Sequence, residues 1–137
     1  MHRAERSRNL WATVNICNTK RHPHVIGIRG QMPALGFKAT LMMDIQVDYW
    51  NTEHRTFEPD PAAKKQVLLG RATSGLHQDG VSFRFDPPAV LSGRITFTWK
   101  LAGKVIGHAS RRTANGPKHV DFGDPPGHNT STCRIGS

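Results

Sequence analysis

Several features that mark common protein classes are missing from this chain of 137 residues. No apolar run approaches the roughly 18 residues that a membrane-spanning helix needs, and no apolar stretch follows the basic start Met1–Asn9, as it would in a secretory signal peptide. Glycine-rich phosphate loops and the Gly-x-Ser-x-Gly and His-Glu-x-x-His motifs are absent too. We therefore expect no membrane-spanning segment, no cofactor and no enzyme activity.

Cysteine is scarce, with only 2 residues, one near each end of the chain. An even count with Cys17 in the first β-prone segment and Cys133 in the last predicts a disulfide that joins the two ends. Such bonds persist in oxidising compartments, so we expect a secreted or cell-surface protein whose leader is not part of this sequence. The alternative is a pair of buried thiols in a cytoplasmic protein. No Cys-x-x-Cys pair is present, so no metal site is expected.

Lysine and arginine (19) clearly outnumber aspartate and glutamate (10). The net charge is +9 and the pI is near 10.4, a balance that favours contact with nucleic acid, acidic glycans or another acidic partner. The lysines and arginines are spread along the whole chain, so solubility alone is the simpler explanation of the charge.

Glycine (13) and proline (9) are frequent, which suits short strands and turns better than helices. The clearest strand lies between Phe37 and Trp50, where apolar and polar side chains alternate with period two. Its predicted buried face consists of Phe37, Ala39, Leu41, Met43, Ile45, Val47 and Tyr49. Further strand candidates are 10–17, 25–32, 66–72, 81–85, 95–101, 104–110 and 131–135. The intervening stretches 51–65 and 74–80 are predicted as loop and turn, respectively.

These elements predict an all-β fold: a two-sheet antiparallel β-sandwich of about seven strands without a convincing helix. A closed barrel is the main alternative. Residues 1–9 are predicted to form a flexible basic arm, and residues 10–137 a single domain.

At the level of architecture the pattern resembles immunoglobulin-like and fibronectin type III-like sandwiches. More specifically, residues 10–17 (LWATVNIC), 26–33 (IGIRGQMP), 123–127 (GDPPG) and 132–135 (TCRI) resemble uncharacterised secreted proteins of actinobacterial type. The resemblance spans residues 10–135. It implies export and a terminal disulfide, and it implies no activity.

Two carboxylates stand out, Asp44 and Asp48, which alternate along the polar face of the long strand. Carboxylates at such spacing serve acid–base catalysis or calcium binding. The simpler interpretation is a solvated sheet face whose carboxylates pair with basic side chains on neighbouring strands. Trp50 and Phe57 flank a polar stretch and are the best candidates for an exposed contact. Together these four residues form the candidate binding surface, while Tyr49 and Trp99 are predicted in the core.

Two weaker patterns are more simply explained by loops. Ser74, His77 and Asp79 carry the groups of a catalytic triad, but one tight turn is a poor frame for such a triad. The pair His22 and His24 could bind a metal with a third ligand such as His108 or His119.

We therefore expect a non-catalytic extracellular module for binding or structural assembly. Its partner would be an unknown protein or an acidic polymer, with self-association as a further option. Contact with the partner is expected at an edge strand or at residues 51–65. The alternative function is polyanion binding, to nucleic acid or acidic glycan, and an enzyme with a site assembled from loops is the least favoured.

Overall fold

The computed structural model describes residues 2–136. It contains one short helix, α1 (His2–Glu5), and eight strands. The strands are β1 (Trp11–Cys17), β2 (Val25–Pro33), β3 (Ala39–Asn51), β4 (Thr56–Ala72), β5 (Leu76–Arg84), β6 (Ala89–Leu101), β7 (Lys104–Arg112) and β8 (Cys133–Ile135).

The strands form two antiparallel sheets, which confirms the predicted two-sheet all-β fold. The three-stranded sheet has the order β1-β2-β5, and the five-stranded sheet has the order β4-β3-β6-β7, with β8 also paired to β6. The count is eight rather than about seven, because every strand candidate, including the short terminal run that forms β8, is paired in a sheet.

The core lies between the two sheets, and β3 supplies much of it. The alternating side chains from Ala39 to Val47 are buried as predicted. Phe37 departs from the prediction, because it precedes the strand and is exposed. Trp99 is fully buried, and its indole Nε1 donates to the carbonyl of Pro33 across the core at 2.9 Å.

Gly30 shows why the sheets approach closely here. A Cβ at this position would lie 2.5 Å from Cδ1 of Ile95 in the opposite sheet. The close backbone packing that the two glycines of the second strand suggested is therefore present at Gly30.

The loop predicted for residues 51–65 is wrong. A tight turn at residues 52–55 leads directly into β4 at Thr56. The two prolines that favoured a loop, Pro59 and Pro61, lie at an irregularity of this edge strand, where the pairing shifts between Gln46 and Asp48. Prolines are tolerated at such positions because a bulged edge strand needs fewer backbone donors.

The predicted turn at residues 74–80 is also too long. The chain turns only at Thr73–Gly75, and β5 begins at Leu76. His77 and Asp79, assigned to the turn on sequence grounds, therefore lie within a strand opposite Met32 and Gly30 of β2.

The predicted disulfide between Cys17 and Cys133 is confirmed, with Cα atoms 5.5 Å apart and a sequence separation of 116. It connects the end of β1 in the three-stranded sheet to β8 in the five-stranded sheet. The bond therefore links the two sheets and closes nearly the whole chain into one loop.

Residues 113–132, here called the overlying segment, cross the outer face of the three-stranded sheet. Thr13 Oγ1 donates to the carbonyl of Ala114 at 2.7 Å, and Asn15 Nδ2 donates to the carbonyls of Asp121 and Phe122. β1 is buried on both faces as a result. The segment also covers the free edge of β1, which protects the edge from pairing with another chain.

Residues near the amino terminus contact β7 through α1, a helix the sequence did not predict. The carboxylate of Glu5 accepts from the backbone N–H of His108 at 2.9 Å, and Arg111 donates to the carbonyl of Glu5. The predicted flexibility of residues 1–9 and the domain boundary at residue 10 stay predictions. Met1 and Ser137 lie outside the described residues.

Candidate binding face

The outer face of the five-stranded sheet carries side chains in rows that run across four strands. Residues opposite one another in register share a face, so the pairings define each row. One row consists of Lys64, Gln46, Arg94 and Arg112, and the next consists of Gln66, Asp44, Thr96 and Ser110. We refer to these eight residues as the polar face.

Hydrogen bonds between neighbouring strands order the second row. Gln66 Nε2 donates to Asp44 Oδ1 at 3.1 Å, and the hydroxyls of Thr96 and Ser110 are 3.0 Å apart. A shallow groove of about 440 Å³ runs over this part of the sheet between the lysines of β4 and Arg94. The polar face therefore offers ordered amide, hydroxyl and cationic groups to one ligand.

Arg94 forms a bidentate ion pair with Asp48, which lies beside the polar face. Its Nε and Nη2 donate to the two carboxylate oxygens at 2.9 and 3.2 Å. The hydrogen bonds to Asp48 raise the pKa of Arg94 above its ordinary value, against the opposing effect of partial burial. The Asp48 side chain is 3% exposed and that of Arg94 is 42% exposed, so the pair presents a guanidinium to solvent and hides the carboxylate.

The two carboxylates singled out from sequence are thus both engaged. Asp44 accepts from Gln66 on the polar face, and Asp48 is covered beneath Arg94. Neither carboxylate is left unpaired beside the other, as a general acid–base pair would require. The expectation of a solvated face fits Asp44. Asp48 is buried instead, but it pairs with a basic side chain of the neighbouring strand, as was also expected.

Trp50 and Phe57 lie opposite each other at the far end of the same sheet. Their rings meet edge to face with centroids 5.1 Å apart, and Trp50 is 39% exposed. Next to them, the Tyr49 hydroxyl lies 3.2 Å from Glu58, and the hydrogen bond raises the pKa of Tyr49. The sequence therefore placed the exposed tryptophan correctly, and its role in binding stays a prediction.

Ser74, His77 and Asp79 are not arranged as a triad. His77 Nε2 lies 2.8 Å from the backbone carbonyl of Ser74, and Asp79 Oδ1 accepts from the backbone N–H of Gly80. Both side chains stabilise the local backbone. His77 therefore does not act as a base on the hydroxyl of Ser74, and Asp79 does not orient His77, as a catalytic triad requires.

The two histidines of the sequence pair, His22 and His24, form hydrogen bonds with different residues. His22 Nδ1 lies 2.9 Å from Asp124 in the overlying segment. Hydrogen bonds from Thr19 and His22 lower the pKa of Asp124. His24 donates its backbone N–H to Asn18 instead. In residues 2–136 no group of three or more His, Cys, Asp or Glu side chains is placed to hold a metal ion.

Sequence reasoning missed the contact between Arg29 and Phe122. The guanidinium carbon lies 4.8 Å from the ring centroid, within cation–π distance, and the ring is 80% exposed. Burial lowers the pKa of Arg29, an effect partly opposed by Asp121 and Asp79. No local pattern relates residues 29 and 122, because the overlying segment brings them together.

Comparison with known proteins adds no relationship, since neither a protein-family model nor a curated protein matches the chain. Across residues 2–136, none of the helices has the length and apolar character required to cross a membrane.

Proposed function

We propose that this protein is a non-catalytic extracellular β-sandwich module for binding or structural assembly, and that it holds its partner on the polar face. The observation that carries the proposal is the first row of that face, in which Lys64, Arg94 and Arg112 lie across β4, β6 and β7. Asp48 offsets the charge of Arg94, but Lys64 and Arg112 are exposed on either side of the guanidinium. Such a row suits a linear polymer with negative charges along its length.

An extended polyanion, either an acidic glycan or a nucleic acid, is therefore the partner that the face fits. Lys64 and Arg112 are exposed, and Arg94 is held in place by Asp48. The adjacent row supplies hydrogen-bonding groups for hydroxyls or base edges. Trp50 lies on the same face and offers a surface on which a sugar ring or a base can stack.

Three of the four sheet edges fit a partner less well than this face does. The overlying segment covers β1, α1 contacts β7, and β4 carries two prolines at its irregularity. Prolines and bulges at an edge oppose strand addition. The contact predicted for an edge strand therefore moves, in this proposal, to the face.

The disulfide supports an exported setting, and the strand order supports the likeness in fold. The disulfide is consistent with an oxidising, extracellular location. The strand order β1-β2-β5 and β4-β3-β6-β7 supports the likeness to fibronectin type III-like sandwiches. The finer likeness to secreted proteins of actinobacterial type belongs to the same proposal and rests on the sequence motifs alone.

The polar face is tested by measuring the affinity for two probes, a polyuronate oligomer and single-stranded oligothymidylate, over a range of salt. The test variant is Lys64→Gln with Arg112→Gln. The control is Lys20→Gln with Arg55→Gln, which removes the same two charges from exposed loops. We expect binding that weakens steeply with salt, and at least a tenfold loss in the test variant only.

Equal losses in both variants would mean that net charge alone drives binding, and would refute the assigned face. The probe that binds more tightly at matched charge distinguishes a glycan partner from a nucleic acid. If neither probe binds at low salt, the polyanion proposal fails.

A further inference from the structure

Three chain connections meet at one end of the sandwich, here called the apical end: residues 34–38, 73–75 and 102–103. Ala34 donates its backbone N–H to the carbonyl of Gly75 at 2.9 Å, and Gly36 donates to Thr73 at 2.9 Å. The hairpin of β6 and β7 reaches the same end, because Lys100 is paired with Thr40 at the start of β3. The apical end is therefore a fixed assembly of turns from both sheets.

Large apolar side chains protrude from each of these turns or from the strand ends beside them. Of the seven exposed large hydrophobic residues among those described, four lie here and are 45–56% exposed. They are Phe37, Leu76, Leu101 and Val105. Exposed apolar groups gathered at one end of a basic protein indicate a contact surface.

Positive charge surrounds these apolar residues. Lys38 follows Phe37, Lys100 and Lys104 bracket the β6–β7 turn, and Arg71 pairs with Thr40. The stretches 33–40, 71–76 and 100–105 contain these four cations and no aspartate or glutamate. The apical end thus combines protruding apolar groups with cations of one sign.

We propose that the apical end docks on an anionic lipid bilayer, with its apolar side chains in the headgroup region and its cations at the lipid phosphates. Apolar groups that enter the interface and basic residues that contact anionic lipid add their effects in this way. A second copy of the chain fits poorly, because a twofold contact would bring the four cations of each copy against those of the other. The apical end shares no residue with the polar face, but Arg71 and Lys100 pair with Thr40 on the same outer face of the five-stranded sheet, so the two surfaces adjoin.

Co-sedimentation with vesicles tests it, with an equal mixture of phosphatidylglycerol and phosphatidylcholine compared with phosphatidylcholine alone. The apolar test variant is Phe37→Ser with Leu101→Ser, and its control is Leu68→Ser with Phe122→Ser, which removes two equally large exposed groups elsewhere. We expect binding to the anionic vesicles only, with a partition coefficient about tenfold lower in the test variant and unchanged in the control.

The charge variant Lys38→Gln with Lys104→Gln leaves the apolar groups in place. Each cation near an anionic surface contributes about a fivefold factor, so we expect a loss of roughly 25-fold, against little change in Lys20→Gln with Arg55→Gln. Both test variants change exposed residues, and circular dichroism establishes that they fold.

The proposal is overturned if the protein does not bind anionic vesicles at low salt. It is also overturned if test and control variants lose binding equally, or if the apolar test variant binds as tightly as the wild type. Concentration-dependent self-association abolished by Leu101→Ser would assign the apical end to a second copy instead. The variant Lys64→Gln with Arg112→Gln should keep vesicle binding within about twofold, so the failure of one proposal can be told from failure of the other.

Discussion

Removing Arg94 should expose how strongly the buried carboxylate of Asp48 depends on its single cationic partner. Arg94→Ala deletes both hydrogen bonds to a side chain that is 3% exposed. Breaking a fully buried pair costs about 3–5 kcal/mol, and an exposed pair about 0–1 kcal/mol. Because the guanidinium is 42% exposed, we expect an intermediate loss of about 2–3 kcal/mol in the free energy of unfolding.

The loss comes from the carboxylate that stays behind. In Arg94→Ala the buried Asp48 side chain has lost the donors of both these hydrogen bonds. A buried charge without its partner is costly, because the surroundings exclude water and supply no replacement donor.

Urea unfolding of wild type, Arg94→Ala, Asp48→Asn and the double variant at pH 7 measures these effects. Asp48→Asn should cost less than Arg94→Ala, because the freed guanidinium can reach water, and the double variant should recover part of the loss. Arg112→Ala in the same row is the control and should stay within about 0.5 kcal/mol. A loss below about 1 kcal/mol for Arg94→Ala, the range of an exposed pair, would refute the reasoning.

Three further outcomes are expected. Replacing Cys17 and Cys133 by alanine opens a loop with a sequence separation of 116, which should lower the stability by about 5 kcal/mol and the thermal midpoint by roughly 15–20 °C; in the wild type, alkylation in denaturant should add two groups only after reduction. Gly30→Ala should cost about 1–3 kcal/mol in urea unfolding, because its Cβ would lie 2.5 Å from Ile95. Since the folded pKa of Asp124 is lowered, its contribution is present at neutral pH and lost as the pH falls below about 4, so the decline of the thermal midpoint from pH 6 to pH 3 should be shallower in Asp124→Asn.

Period-two alternation predicted β3 well because its inner side chains face a single continuous core. From Ala39 to Val47 every second residue is buried between the sheets. The same alternation placed Asp48 on the outer face correctly, but it did not indicate that Arg94, 46 residues away, covers the carboxylate. The local sequence pattern predicts the sheet face on which a side chain lies. It does not predict which side chain of a neighbouring strand covers that side chain.

Prolines misled the interpretation of β4 for a related reason. Pro59 and Pro61 are strong turn signals in isolation, and an edge strand tolerates them where the pairing shifts. Whether a strand lies at the edge of a sheet is decided by strand order, which single-sequence patterns leave open. The turn assigned to residues 74–80 failed similarly, because β5 pairs with β2, distant in sequence.

The candidate surfaces divide in the same way. Trp50 could be recognised as exposed because it borders a polar stretch of the sequence. The row of Lys64, Arg94 and Arg112 could not be recognised, because its three cations come from separate strands that only the register aligns. Net charge in the sequence indicated a polyanion partner without indicating where the charge gathers.

The overlying segment covers the outer face of the three-stranded sheet, so the outer face of the five-stranded sheet is the open face of the sandwich. The overlying segment is held over the three-stranded sheet by Thr13 and Asn15, and β8 follows it directly with Cys133 bonded to β1. The disulfide thus anchors the far end of this cover, while the polar face is built from β3, β4, β6 and β7, none of which contains a cysteine. Reduction should therefore loosen the cover over the three-stranded sheet before it alters the polar face, and hydrogen exchange should rise first in residues 113–132.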